Sequence, residues 1–230
     1  MCLLAIRGTA VAPMFGARSE GVKVTGSFYS PLGEEMELSD FLALYTHIYF
    51  CQVRNLDLDR AVTSALKNKE KTRENVRDLL LWKTSGSCGE DGEYVSYRGQ
   101  KIDLNKVWQA FTKTREERDP KAMLADFLHV KGVGPVIAIA LVWYVLGGKY
   151  PIYDQFAHKG LIAIQKALEP RNRIDGFLNR HYIGRLSGLS AGAVLAELNQ
   201  YKQGLIEVFG QEALTDRGVD QALWAYGHLF

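Results

Sequence analysis

Three cysteines in 230 residues, Cys2, Cys51 and Cys88, form no CxxC and cannot all pair with one another. That arithmetic argues against a disulfide framework and against a zinc ribbon, and fits a reducing, cytoplasmic setting. The five histidines show neither HxH nor HExxH spacing, so no metal site is expected. Long apolar runs are missing too. The longest, Val136 to Leu146, spans 11 residues, whereas a bilayer needs about 20. Met1 to Ile6 lacks a basic leader and a long apolar stretch, so no signal peptide is expected. There is no internal repeat, heptad array or low-complexity tract.

What is present describes a globular chain. Apolar residues make up 47% and charged residues 23%, which excludes a disordered chain, a collagen and a coiled coil. The length suits one large domain or two small lobes with a core that needs no staples. The net charge of +2 is unevenly spread. Residues 121–188 carry nine Lys/Arg against four Asp/Glu, an excess of +5 that leaves −3 for the rest. Such a local excess is either a solvated surface or a footprint for a polyanion.

Hydrophobic periodicity predicts a mainly α chain of eight or nine helices with a few short strands. The first 35 residues lack a 3.6-residue period and suggest extended pieces at Leu3–Ile6 and Val22–Ser27, with a turn at Pro31–Gly33. Ser39 is a candidate N-cap for a helix to Cys51. Asp57 or Asp59 opens a second helix to Asn68, and Thr72 a third through Trp82. A Gly/Ser-rich loop covers Ser85–Gly99 with a short strand at Tyr94–Tyr97. Further helices are predicted at Asn105–Glu117, Lys121–Val130, Pro135–Leu146, Gln155–Leu168, Ser190–Phe209 and Asp216–His228.

The chemistry concentrates between Leu128 and Asp154. A helix ends near Val130, Gly132-Val133-Gly134 turns tightly, and Pro135 opens the next helix where its missing N–H costs nothing. Two glycines around one apolar residue leave amide N–H groups exposed at a helix N-terminus, an arrangement suited to phosphate. Val133 is then the apolar pin of the turn. A plain helix–helix turn has the same Gly-x-Gly pattern, so the context matters: Gly147-Gly148, Pro151 and Asp154 follow, with Asp154 20 residues after Gly134.

This segment resembles the helix-hairpin-helix DNA glycosylases, whose signature is such a hairpin, a Gly/Pro-rich loop and a catalytic aspartate. The match covers Leu128 to Ile162, with a looser similarity to adenine-type members at Tyr150-Pro151-Ile152-Tyr153-Asp154 and Lys159. The resemblance implies a two-lobed helical fold with a cleft between the lobes. Residues 36–154, with the hairpin over 121–146, form one lobe; residues 1–35 and 155–230 form the other from both termini. It implies a monomeric enzyme that acts on double-stranded DNA without a cofactor or a membrane, associated with the nucleoid in a prokaryote.

Asp154 is the catalytic carboxylate in that reading, able to stabilise the positive charge that develops on deoxyribose as a base leaves. It is equally placed to be an N-cap for the following helix, and the two roles are compatible. Lys131, Gly132, Val133, Gly134 and Lys159 are the expected phosphate contacts; the cluster Arg171, Arg173, Arg180 and Arg185 is a weaker one. Phe28, Tyr29, Trp82 and Trp224 are candidates for stacking on a flipped base, each also suited to a core. Tyr45 and His47 lie in the helix where relatives often carry polar residues near the lesion. Trp143 and Tyr144 fall in a helix apolar all round and read as core.

Three positions depart from the family pattern. Bifunctional members carry a Schiff-base lysine two residues after the second hairpin glycine; here it is Val136, so no lyase activity is expected by that route. Phe156 stands where a histidine is common, and the four-cysteine iron–sulfur cluster of several relatives is missing. The expected activity is a monofunctional glycosylase that leaves an abasic site, its target base left open among uracil, alkylated purines, mispaired adenine and a bulky modified pyrimidine of foreign DNA. The alternative is a helix-hairpin-helix module that holds DNA without chemistry.

Overall fold

A computed structural model describes residues 26–68, 71–114, 119–170, 188 and 190–230. Among them are nine α-helices and two small antiparallel sheets. Strands β1 (Phe28–Tyr29) and β2 (Glu35–Met36) form a hairpin around the expected turn at Pro31–Gly33. Helices α1 (Leu38–Gln52), α2 (Leu56–Lys67) and α3 (Arg73–Thr84) follow. Strands β3 (Ser87–Cys88), β4 (Tyr94–Tyr97) and β5 (Gln100–Asp103) form the second sheet. Then come α4 (Leu104–Thr114), α5 (Pro120–Leu128), α6 (Pro135–Val145), α7 (Gln155–Gln165), α8 (Ala191–Phe209), a 3-10 turn at Gln211–Leu214, and α9 (Arg217–Gly227). No described helix is long and apolar enough to cross a membrane.

Local chemistry sets most of these boundaries. Thr72 and Asn75 exchange side-chain and backbone bonds in a capping box at the start of α3. Asp119, Asp154, Ser190 and Asp216 each accept from a backbone N–H in the first turn of α5, α7, α8 and α9. Pro120 and Pro135 occupy the first position of their helices. Two starts differ from the expectation. Helix α1 begins at Leu38 after Glu37, not after a Ser39 cap, and α2 follows Asn55; neither has a side-chain cap. Packing of Phe41, Leu42, Tyr45 and Tyr49 fixes α1 instead. Strand β5 was not foreseen because only Ile102 among its four residues is apolar. Arg98 and Gly99, both at positive φ (49° and 75°), close a two-residue hairpin that pairs it with β4. Gly26 and Ser27 are not in a strand. The rest of the extended pieces expected at Leu3–Ile6 and Val22–Ser27, and the Arg171, Arg173, Arg180 and Arg185 cluster, lie outside the described residues.

Two packing groups meet in one core. Helix α6 is buried at ten of its 11 positions and is contacted by α3, α4 and α5. Helices α1 and α7 both lie along α9, while α8 bridges α5 and α7. Phe28, Phe41, Tyr45, Phe209 and Tyr226 form an aromatic cluster in this second group, with Phe41 4.8 Å from Tyr45 and 5.2 Å from Tyr226 between ring centroids. The α7–α9 crossing is close because glycine faces it from both sides. A Cβ on Gly160 would lie 2.5 Å from the Leu223 carbonyl oxygen, and one on Gly227 would collide with the Phe156 carbonyl.

Gly227→Ala should therefore destabilise the fold by about 1–3 kcal/mol through overpacking. Gly134, whose added Cβ meets nothing within 4 Å, is the control. The urea midpoints should separate the two variants, and equal midpoints would refute a glycine-dependent crossing.

Candidate active site

The hairpin between α5 and α6 is held from inside and open outside. The Val133 N–H donates to the Val130 carbonyl at 3.0 Å, and the Val133 side chain is buried, as expected of a pin. Gly132 has φ +88°, and a Cβ there would press on Ile102 of β5 (3.1 Å to Cγ1) and on the Lys101 carbonyl oxygen (3.2 Å). Only glycine meets both demands cheaply. Gly134 is the N-cap of α6 and has open space where a side chain would project. Lys131 beside it is exposed. A backbone ligand could approach this turn without obstruction.

At the other end of α6 the chain reverses through Gly147 (φ +64°) and Gly148 (φ +77°), whose N–H groups bond the Tyr144 and Trp143 carbonyls at 3.2 and 2.9 Å. Lys71 Nζ donates to the Val145 carbonyl at 2.6 Å, so the helix end is satisfied without water. The buried Pro151-Ile152-Tyr153 segment then delivers Asp154 to the start of α7. Its Oδ1 accepts the Phe156 N–H at 2.9 Å, which is the capping role. Oδ2 accepts from Lys83 Nζ at 3.2 Å.

Lys83 sits in the last turn of α3 with its side chain only 7% exposed. Burial pushes its amine below the usual lysine value; the Asp154 carboxylate pulls the other way, and the Arg217 guanidinium adds to the lowering. Asp154 and Lys83 face a cavity of about 140 Å³ walled by Tyr49, Trp82, Arg217 and Trp224. Arg217 stacks on Trp82 (5.0 Å from guanidinium carbon to ring centroid) and on Tyr49 (5.6 Å). It is anchored by Asp59 Oδ1 at 2.6 Å, by the Tyr49 hydroxyl at 3.1 Å and by Asp220. Gln221 and the Tyr49 hydroxyl also donate to Asp59, at 3.2 and 3.1 Å. Burial, offset by Arg217, pushes the Tyr49 phenol up to about 12, so it stays a neutral donor at physiological pH. Arg217 and Asp220 are also the wall between this cavity and a larger one of about 210 Å³, lined on its far side by Trp143, Gly148 and Tyr201.

Of the residues expected from sequence, Asp154, Trp82 and Trp224 come together in the small cavity. Phe28 and Tyr45 do not. They are 5% and 0% exposed inside the aromatic cluster, and the Tyr45 hydroxyl donates to the Tyr29 carbonyl at 2.8 Å, so both serve the core rather than a base pocket. Tyr29 is half-buried in β1, and His47 is exposed on α1 with Cys51 Sγ 3.8 Å from its ring. Neither lines the cavity. Trp143 and Tyr144 are buried, as read. Lys159 is half-buried on α7, and Phe156 stacks on His228 at 3.6 Å.

Sequence reasoning missed Lys83, Arg217, Asp59 and Tyr49 as parts of this site. For Lys83 a signal existed. Val76, Leu79 and Leu80 are the buried stripe of α3, and Lys83 lies seven, four and three residues further on, on the same face. A lone charge on an apolar stripe points to burial or to function. For the Arg217–Asp59 pair, 158 residues apart, no local pattern exists. Compared with protein families, with curated proteins and with solved structures, the chain has no significant match.

The Arg217–Asp59 pair should hold the cavity wall. Asp59→Ala leaves a largely buried guanidinium with Asp220 as its remaining carboxylate and should cost about 1.5–3 kcal/mol. Chemical denaturation measures this. A loss under about 1 kcal/mol, the value of a surface pair, would show that the wall stands without it.

Proposed function

We propose that this protein is a DNA glycosylase of the helix-hairpin-helix type, two-lobed with its cleft between the lobes, which excises a damaged or modified base flipped out of double-stranded DNA. The observation that carries this reading is Asp154, a carboxylate facing a cavity with tryptophans on its walls and placed 20 residues after an open hairpin glycine. In this reading the hairpin amides, Lys131 and Lys159 grip phosphates on either side of the target nucleotide. Trp82 and Trp224 flank the extruded nucleoside, as base-flipping enzymes require of their pockets. Asp154 lies beside C1′, stabilises the oxocarbenium-like charge as the glycosidic bond breaks, and orients the attacking water. The product is an abasic site. Val136 is a half-buried apolar side chain on α6 and offers no amine from the family's usual position. No cofactor takes part, and the enzyme works as a monomer away from membranes.

A second reading has support in Asp154 itself. Both of its oxygens are engaged, one by a cap and one by Lys83, as in a purely structural residue. A helix-hairpin-helix DNA-binding protein without chemistry would need no more.

Asp154→Asn separates the two readings. The amide keeps an oxygen for the Phe156 cap and removes the charge. Base release, screened over duplexes with uracil, alkylated purines, mispaired adenine and hypermodified pyrimidines, should fall roughly 10²–10³-fold, the scale for losing one preorganised electrostatic group. DNA retention should persist. Unchanged release from the variant would end Asp154's catalytic assignment.

Gly134→Phe tests the clamp. An added Cβ meets nothing within 4 Å, so the fold should tolerate the side chain. DNA binding should weaken alike for every sequence, because phosphates carry no sequence information, and its salt dependence should become shallower. Weakening confined to one sequence context would exclude a phosphate clamp.

A further inference from the structure

We propose that Lys83 makes the protein an abasic-site lyase: its amine forms a Schiff base with C1′ of the abasic sugar and cuts the strand on the 3′ side. This rests on the glycosylase reading for the position of C1′ beside Asp154. It departs from the expectation, drawn from Val136, that lyase chemistry is absent. The nucleophile comes from α3, a different element from the hairpin helix.

Three observations carry it. Lys83 and Asp154 line the same cavity, with Nζ 3.2 Å from the carboxylate, so an atom placed against Asp154 is within reach of the amine. The side chain is 7% exposed, and a buried ammonium is costly; a neutral amine is the form that attacks carbonyl carbon. Finally, burial and the Arg217 guanidinium loosen the amine's hold on its proton, against the pull of the Asp154 carboxylate, and so favour the nucleophilic free amine. The other lysines near the motif are placed differently: Lys131 and Lys149 are exposed, Lys159 is half-buried on α7, and none lines this cavity.

The chemistry balances without an outside reagent. In its open form the abasic sugar carries a C1′ aldehyde. Lys83 passes a proton to Asp154 and attacks C1′. The C–N bond forms, and the carbonyl oxygen leaves as water. Of the three protons on the resting ammonium, two depart in that water and one stays on the iminium nitrogen. The Asp154 carboxylate then removes a C2′ proton. That electron pair forms the C2′=C3′ bond as the C3′–O bond breaks and the phosphate leaves with its electrons. Water hydrolyses the iminium, releasing an unsaturated aldehyde and restoring the ammonium, and the C2′ proton passes from Asp154 to the departing phosphate, which restores the carboxylate.

The probe is a duplex with one preformed abasic site, so the target base need not be known. Wild-type protein should cut the strand without alkali, and borohydride should trap a covalent complex whose modified peptide maps to Lys83. Lys83→Arg keeps a cation opposite Asp154 and should lose both the cut and the adduct while melting like wild type. Mapping on the wild-type chain decides the matter even if the variant misfolds. No adduct, or an adduct on Lys131, Lys149, Lys159 or the N-terminal amine, would overturn the proposal. Base release is scored separately. Release without trapping removes Lys83 and leaves the glycosylase reading standing; trapping at Lys83 without release from any modified duplex does the reverse.

Discussion

Helix α6 has no polar face, and the rest of the structure is arranged to accommodate that. Ten buried positions in 11 require neighbours on every side, which α3, α4 and α5 supply. The helix is about 16 Å long at 1.5 Å per residue. Apart from the Trp143 indole N–H and the Tyr144 hydroxyl, its backbone ends are the polar groups it must still satisfy. The N-terminal end emerges at the glycine hairpin, where the space beside Gly134 is open. The C-terminal end is sealed by Gly147, Gly148 and Lys71, and the chain leaves it along a buried path to Asp154. A rigid apolar strut thus carries the hairpin on one end and launches the carboxylate segment from the other.

The cavity at Asp154 collects opposite charges behind aromatic walls. Lys83 and Arg217 stand among Asp154, Asp59 and Asp220, and the indole and phenol rings of Trp82, Trp224 and Tyr49 shield part of the group from water. In such a medium each charge acts more strongly than at a surface. Arg217 is fixed by three partners and works as scaffold. Lys83 has one carboxylate partner in a place that opens to the cavity, which is a less constrained arrangement.

Much of this was legible in the sequence, for local reasons. Capping residues at Thr72, Asp119, Ser190 and Asp216 mark helix starts chemically, and Gly132-Val133-Gly134-Pro135 specifies its own turn. Asp154 was singled out through the resemblance of a single continuous segment, and the structure places it on the small cavity. The remainder depends on distance in sequence. Strand β5 exists because β4 pairs with it, and α1 starts where its aromatic face meets α9 rather than where a cap could form. Phe28 and Tyr45 carried the right chemistry for stacking on a base, yet the aromatic cluster they join with Phe209 and Tyr226 claims them for the core. Arg217 and Asp59 each look like ordinary surface charges until the fold brings α9 against α1 and α2.

The distribution of indoles has a practical consequence. Of the four tryptophans, Trp82 and Trp224 line the small cavity and Trp143 lines the larger one, while Trp108 stacks on Phe111 at 5.5 Å and lines neither. The intrinsic emission of the protein is therefore weighted toward the space around Arg217. Occupancy of either cavity changes the polarity and quenching that these rings experience, without any label. Removing the Trp108 background by a phenylalanine leaves an optical signal that belongs almost wholly to the two cavities.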